Sequence, residues 1–168
     1  LDGQIEFHLT DGLDGIDGEG IGSVVIAGMG GENIADILSR APWTRQTRLL
    51  VLQPMSKAPF LRAWLRENAY RIETECLVRD GSVYELLTAR GGSDSPLSPA
   101  ELLTGRLSLI ENDPLFPVRL EQLLTRQRRA VAGLEHSVKP ESAVRLSAEQ
   151  ETLASLLKMQ ERMRIKNA

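Results

Sequence analysis

The chain has 168 residues, 42% of them hydrophobic and 26% charged, with a net charge of −3. That is long enough to bury a core without metals or disulfides, too apolar for a disordered chain, and free of any apolar run of membrane-span length. Its single cysteine, Cys76, excludes an intramolecular disulfide and fits a reducing compartment, so a cytoplasmic protein is expected.

The first pattern along the chain is an alternation. Ile5, Phe7 and Leu9 against Glu6, His8 and Thr10 predict a strand. It ends at Thr10-Asp11-Gly12, a turn signal, and a loop rich in Gly and Asp runs on to Gly22. Ser23–Ala27 is a β-branched run of the kind found in strands covered on both faces, and it leads straight into Gly28-Met29-Gly30-Gly31. Glu32–Arg40 reads as a helix with Ile34, Ile37 and Leu38 on one face. Leu49–Leu52 is the next buried strand, stopped at Gln53-Pro54. Pro59–Ala69 follows as a helix, with Phe60, Leu61, Trp64 and Leu65 at helical spacing. Tyr70–Val78 and Val83–Ala89 flank Asp80-Gly81, a hairpin signature. Strands alternating with helices predict an α/β fold with a mostly parallel, doubly wound sheet, to which the hairpin adds an antiparallel strand.

Gly91–Pro99 is a linker of Gly, Ser, Asp and Pro, and it divides a sheet domain, 1–92, from a helical domain, 93–168. In the second part Leu120, Leu124, Gln127, Val131, Leu134 and Val138 recur in steps of four and three, a heptad seam. Lys139-Pro140-Glu141 breaks it, and a second seam runs through Leu146, Leu153, Leu156 and Met163. Two seams about a short breaker predict an antiparallel coiled-coil hairpin, or an ordinary amphipathic pair. This half is mildly basic. Its arginines Arg126, Arg128, Arg129, Arg162 and Arg164 suit RNA phosphates, though solvated helix faces look the same.

Few residues carry chemistry on their own. Glycines after a buried strand allow close approach of a ligand at the edge where doubly wound sheets bind. Gly28-Met29-Gly30 imitates a dinucleotide fingerprint, but the next strand ends in Gln53-Pro54 rather than in the acidic residue that would hold a ribose. Gln53 donates and accepts at once, which suits a base edge. Asp11 is a ligand carboxylate or a turn residue before Gly12. Glu85, on the opposite face of its strand from Tyr84, is either a buried paired group or a guard against edge pairing. Cys76 alternates with Val78 and is expected in the core. His8 and His136 have no companions at metal spacing, so no metal is expected, and Ser56-Lys57 is no nucleophile constellation.

In combination these stretches resemble one family. Asp11-Gly12-Leu13, Val25-Ile26-Ala27-Gly28-Met29-Gly30-Gly31, Leu50-Val51-Leu52-Gln53-Pro54, Leu61-Arg62-Ala63-Trp64-Leu65 and Val83-Tyr84-Glu85-Leu86 stand in the order found in the bacterial tRNA (adenine-22-N1)-methyltransferases, of the class I S-adenosylmethionine-dependent type. The resemblance covers nearly the whole chain and implies a Rossmann-like sheet followed by a coiled-coil domain. It implies S-adenosyl-L-methionine as cofactor and tRNA as partner, with no membrane, and it leaves the oligomeric state open. Carried over, Asp11, Gly12, Ala27 and Gly28 would face the cofactor. Gly28, Met29, Gly30, Gln53 and Pro54 would line the space between methyl donor and base. The family pattern also puts two strands ahead of this stretch, one with an Asp-x-Gly loop and one with an acidic end. The chain is thus expected to be N-terminally truncated and to lack the first half of the cofactor site. A methyltransferase of another RNA, or a non-catalytic RNA- or protein-binding module, are the alternatives.

Overall fold

The computed structural model describes residues 5–136 and 142–166. Four strands form one sheet: β1 (Ser23–Gly30), β2 (Leu49–Ser56), β3 (Tyr70–Asp80) and β4 (Ser82–Gly91), in the order β1-β2-β4-β3. Helices α1 (Gly31–Arg40) and α2 (Ala58–Glu67) follow β1 and β2, and a 3-10 turn spans Pro42–Gln46. Then come α3 (Pro99–Thr104), α4 (Leu107–Ile110), α5 (Phe116–Glu135) and α6 (Ser142–Lys166).

The β-branched run forms β1 as expected, and its alternate residues Val24 and Ile26 face inward. Ile34 and Leu38 of α1, Leu50 and Leu52 of β2, Leu61 and Leu65 of α2, Tyr70 of β3, and Leu87 and Ala89 of β4 complete this core. Both helices lie on the same face of the sheet. On the opposite face Val25, Leu49, Met55 and Val78 are exposed. Within the described residues the flanking helices thus cover one face, so the sheet is not wound on both, but its strands are mostly of one direction as expected. β1, β2 and β3 run in one direction, and β4, antiparallel to both β2 and β3, is the one reversed strand among the described residues, the antiparallel strand expected of the hairpin. The β3–β4 hairpin turns at Gly81, with φ +65° and Asp80 paired to Ser82.

Three local expectations are corrected. Ile5–Leu9 is not a strand: Phe7 and Leu9 are fully exposed, because among the described residues no strand lies alongside to take up their ladder bonds. Pro54 does not stop β2, which runs two residues further. The β2–β4 ladder has already ended at Leu52, so a missing N–H at Pro54 forfeits no bond on that side. Cys76 is exposed, not in the core. A bulge between Ile72 and Thr74 reverses the alternation, so that Glu75 and Leu77 point inward instead.

A second core gathers Ile110, Phe116, Leu120, Leu124, Leu156, Met159 and Met163, with Leu77 of β3. α5 and α6 are antiparallel: Gln127 bonds Glu149, and Glu121 accepts from Gln160. Of the first seam Leu120, Leu124, Gln127 and Val131 are buried and Leu134 half-buried; of the second, Leu156 and Met163 are buried and Leu146 and Leu153 half-buried. Val138 and the breaker Lys139-Pro140-Glu141 lie outside the described residues. The linker is tied down: Asp94 accepts from the Ile72 N–H and pairs with Arg106 at 2.7 Å.

Candidate active site

The carboxyl ends of parallel strands are where open α/β sheets bind ligands. Here that edge is Ala27–Gly30 of β1 beside Gln53–Ser56 of β2, with Ala27 opposite Gln53, Met29 opposite Pro54 and Gly30 opposite Ser56. The register slips around Met29 and leaves Gly28 out of the ladder. Gly28 takes up the irregularity at φ +77°, a conformation costly for any residue with a Cβ. Its N–H donates to Gln53 Oε1 at 2.9 Å, so a carboxamide replaces the missing ladder partner. Only the oxygen of that amide can accept, which settles its orientation. Nε2 is then left with Met55 Sδ at 3.4 Å, a weak acceptor, and keeps its capacity to donate.

The neighbouring glycines differ in what they border. A Cβ at Gly28 would meet nothing within 4 Å, so bare backbone faces open space. One at Gly30 would meet only Ser56 Oγ, at 3.4 Å. One at Gly31 would sit 2.5 Å from the Lys57 carbonyl oxygen, so Gly31 serves the close passage of the β2–α2 turn and not a ligand. Lys57 itself is left-handed at φ 58°.

Asp11 and Gly12 are not brought to this edge. Asp11 pairs with Arg40, the last residue of α1, at 3.2 Å, and Gly12 packs on Ile37. α1 starts at Gly31, so both lie toward its far end. Asp14 and Asp36 hold the same arginine.

Arg126, Arg128, Arg129, Arg162 and Arg164 are all exposed. Arg128 faces Glu121 at 3.8 Å. Arg162 and Arg164 lie on the last turns of α6, where Lys166 holds Glu111 and Asn112. Arg126 alone of the five reaches the sheet edge: with Pro54, Met55, Ser56, Lys57, Tyr84 and Arg119 it lines a cleft of about 550 Å³. Tyr84 and Met55 also line a shallower recess of about 320 Å³ with Gln53 and Leu86.

Behind the cleft stands a charge network that the sequence reading did not assemble. Arg62, fully buried on α2, donates Nε to Glu75 Oε1 and Nη2 to Glu85 Oε2, both at 2.7 Å, and Nη1 to the Leu102 carbonyl at 3.0 Å. The other oxygen of Glu85 accepts from Arg119 of α5, and Glu75 Oε2 accepts from the Arg106 N–H at 2.6 Å. Burial works against the Arg62 charge, but Glu75 and Glu85 outweigh it and hold the guanidinium protonated above its ordinary range. Glu85 is thus the buried, paired group of the two alternatives. The signal was present in outline: Arg62 follows the core residue Leu61, and two carboxylates sit inside apolar strands.

Among the described residues no three His, Cys, Asp or Glu converge as metal ligands, and no helix is long and apolar enough to cross a membrane. The family model described as tRNA (adenine(22)-N(1))-methyltransferase, TrmK, matches residues 1–161. A Bacillus subtilis protein of that description is 35% identical over 111 residues, covering 64% of this chain and 46% of the relative. The crystal structure of the B. subtilis M1A22 tRNA methyltransferase TrmK superposes with TM-score 0.76 at 27% identity, over 89% of this chain and 68% of that one. Streptococcus pneumoniae Sp1610, in complex with S-adenosyl-L-methionine, gives TM-score 0.66 at 27% identity, over 87% and 67%. The chain thus spans less than half the length of the curated relative and about two thirds of the solved ones. The Rossmann-like sheet and the family match agree, and the chain belongs to the tRNA (adenine(22)-N(1))-methyltransferase family.

Proposed function

We propose that this chain supplies the base-facing side of a methyl-transfer site, in a cytoplasmic enzyme that methylates N1 of adenosine 22 in tRNA from S-adenosyl-L-methionine. The observation that carries this is the bond from Gly28 N–H to Gln53 Oε1. It fixes the bare backbone of Gly28 beside an amide donor, at the ligand-binding edge of the sheet. Family membership supports it, as does the S. pneumoniae relative's binding of S-adenosyl-L-methionine. The arrangement fits such a donor and a planar neutral base, since nothing projects from Gly28 and the nearest polar side chain is an uncharged amide. We further propose the division into a sheet part, 1–92, and a helical part, 93–168, supported by the two separate cores.

Adenine N1 is a neutral lone-pair nucleophile and needs no general base. S-adenosyl-L-methionine, when bound, supplies an electrophilic methyl; the new N–C bond forms as the S–C bond breaks, and the positive charge passes to the base. What remains for the protein is alignment and accommodation of that charge. Gly28 and Gly30 keep the approach open, Met29 and Pro54 wall it, and Gln53 holds the turn in place. N1 lies on the pairing edge, so the target base must leave any pair it makes. Gly30→Val tests the reading. Gly30 has φ −66°, which valine adopts without strain, so the fold should survive while methyl transfer is lost. Full transfer by this variant would refute the glycine turn as the site.

A further inference from the structure

The cleft beside this site has a composition that alignment of methyl donor and base does not require. One wall is the end of β2 and the start of α2, with Ser56 and Lys57; the other is α5, with Arg119 and Arg126 two turns apart. Its charged lining is three cations against one carboxylate, Glu85, which is already consumed by Arg62 and Arg119. Lys57 has only a loose pair with Glu32, at 3.7 Å and largely exposed, where water screens it. Arg126 has no ion-pair or hydrogen-bond partner among the described residues. Arg119 Nε is buried without a partner. The ten-residue helix α2 begins at this cleft with no side-chain cap; Pro59 has no N–H, so the helix adds the Ala58 N–H and the positive end of its dipole.

Unspent cationic and N–H donors on facing walls are the chemistry of a phosphate site. The aromatic side chain of Tyr84 at the same cleft suits a base. We propose that the cleft seats the phosphodiester adjoining the target adenosine, with Lys57 and Arg126 closing on it from opposite walls and Tyr84 beside the neighbouring base. The seat begins within three residues of Gln53, roughly 10 Å along the strand, a distance that successive nucleotides can bridge. The inference rests on the methyltransferase reading and adds to it where the RNA strand runs.

The test is binding of an unmodified tRNA transcript carrying adenosine 22 by the natural protein, measured across a salt series. Lys57→Gln and Arg126→Gln should each weaken binding roughly fivefold near physiological salt and lower the slope of log Kd against log salt by about one. Arg48→Gln, at the opposite end of β2, should change neither. Both cleft side chains are exposed, so thermal melts should match the parent protein. Uncharged methylphosphonate linkages flanking adenosine 22 should weaken the parent protein and have little further effect on Arg126→Gln, since the two changes remove one contact. Unchanged slopes, or additive effects of linkage and variant, would overturn the phosphate seat while leaving methyl transfer standing. Failure of the parent protein to bind tRNA would overturn both.

Discussion

Gly28, Gly30 and Gly31 are near neighbours in sequence and meet different physical demands. Gly28 is held at positive φ with open space beyond it, and Gly31 is pressed against a carbonyl. Gly28→Ala should therefore cost roughly 1–2 kcal/mol of backbone strain, and Gly31→Ala should cost more through its clash with Lys57; chemical denaturation of the two variants would rank them. Gln53→Leu leaves the Gly28 N–H without its acceptor and frees the turn. Transfer should fall on the order of 10²-fold, as misplacement at a reacting centre does, with little change in melting temperature. That Gln53 faces the glycine turn could be read from the sequence, because both strands end there. Which oxygen meets which N–H could not, since it depends on the register slip at Met29. Asp11 illustrates the opposite case. Its place after an alternating segment suggested the ligand edge, but Arg40 sits closer and carries the complementary charge.

Elements were legible wherever their period was unbroken. The β1 run, both flanking helices and the hairpin all lie close to where alternation and turn residues put them. Misreadings came from features that propensity does not encode. An alternating segment such as Ile5–Leu9 needs a neighbour to pair with, and the bulge after Ile72 exchanged the faces of Glu75 and Cys76. The short helix α3 went unread as a separate element, though its cap is explicit: Ser98 and Glu101 form a reciprocal capping box. Ser98→Ala should cost roughly 1 kcal/mol. Burial works against the Glu101 carboxylate, but the N–H and the hydroxyl of Ser98, the Leu107 N–H and Arg106 more than offset it, holding the group below its ordinary value of 4.5; Ser98→Ala removes the hydroxyl's share. A depressed carboxylate contributes stability above its unfolded value and loses it as pH falls through the folded one. The Ser98→Ala penalty should therefore shrink in melts recorded progressively below pH 4.5.

Across the whole molecule, the sheet core and the helical core meet at Arg62. Its guanidinium ties α2 to both strands of the hairpin and, through Glu85 and the Leu102 carbonyl, to α5 and α3. Arg62→Met leaves two carboxylates poorly paired in the interior and should cost about 3–5 kcal/mol. Arg62→Met combined with Glu75→Gln and Glu85→Gln should recover part of that loss, which urea titration would measure. The exposed sheet face and the edge of β1, unpaired among the described residues, form a second feature at this scale. The 168-residue chain prepared alone should self-associate with rising concentration, seen as increasing mass in light scattering. The most direct test of the account is transfer of labelled methyl from S-adenosyl-L-methionine, by the natural protein, to two tRNA transcripts that differ only in adenosine or guanosine at position 22. The account predicts label on N1 of adenosine 22 and none on the guanosine transcript. Equal labelling of both, or labelling of neither, would contradict it.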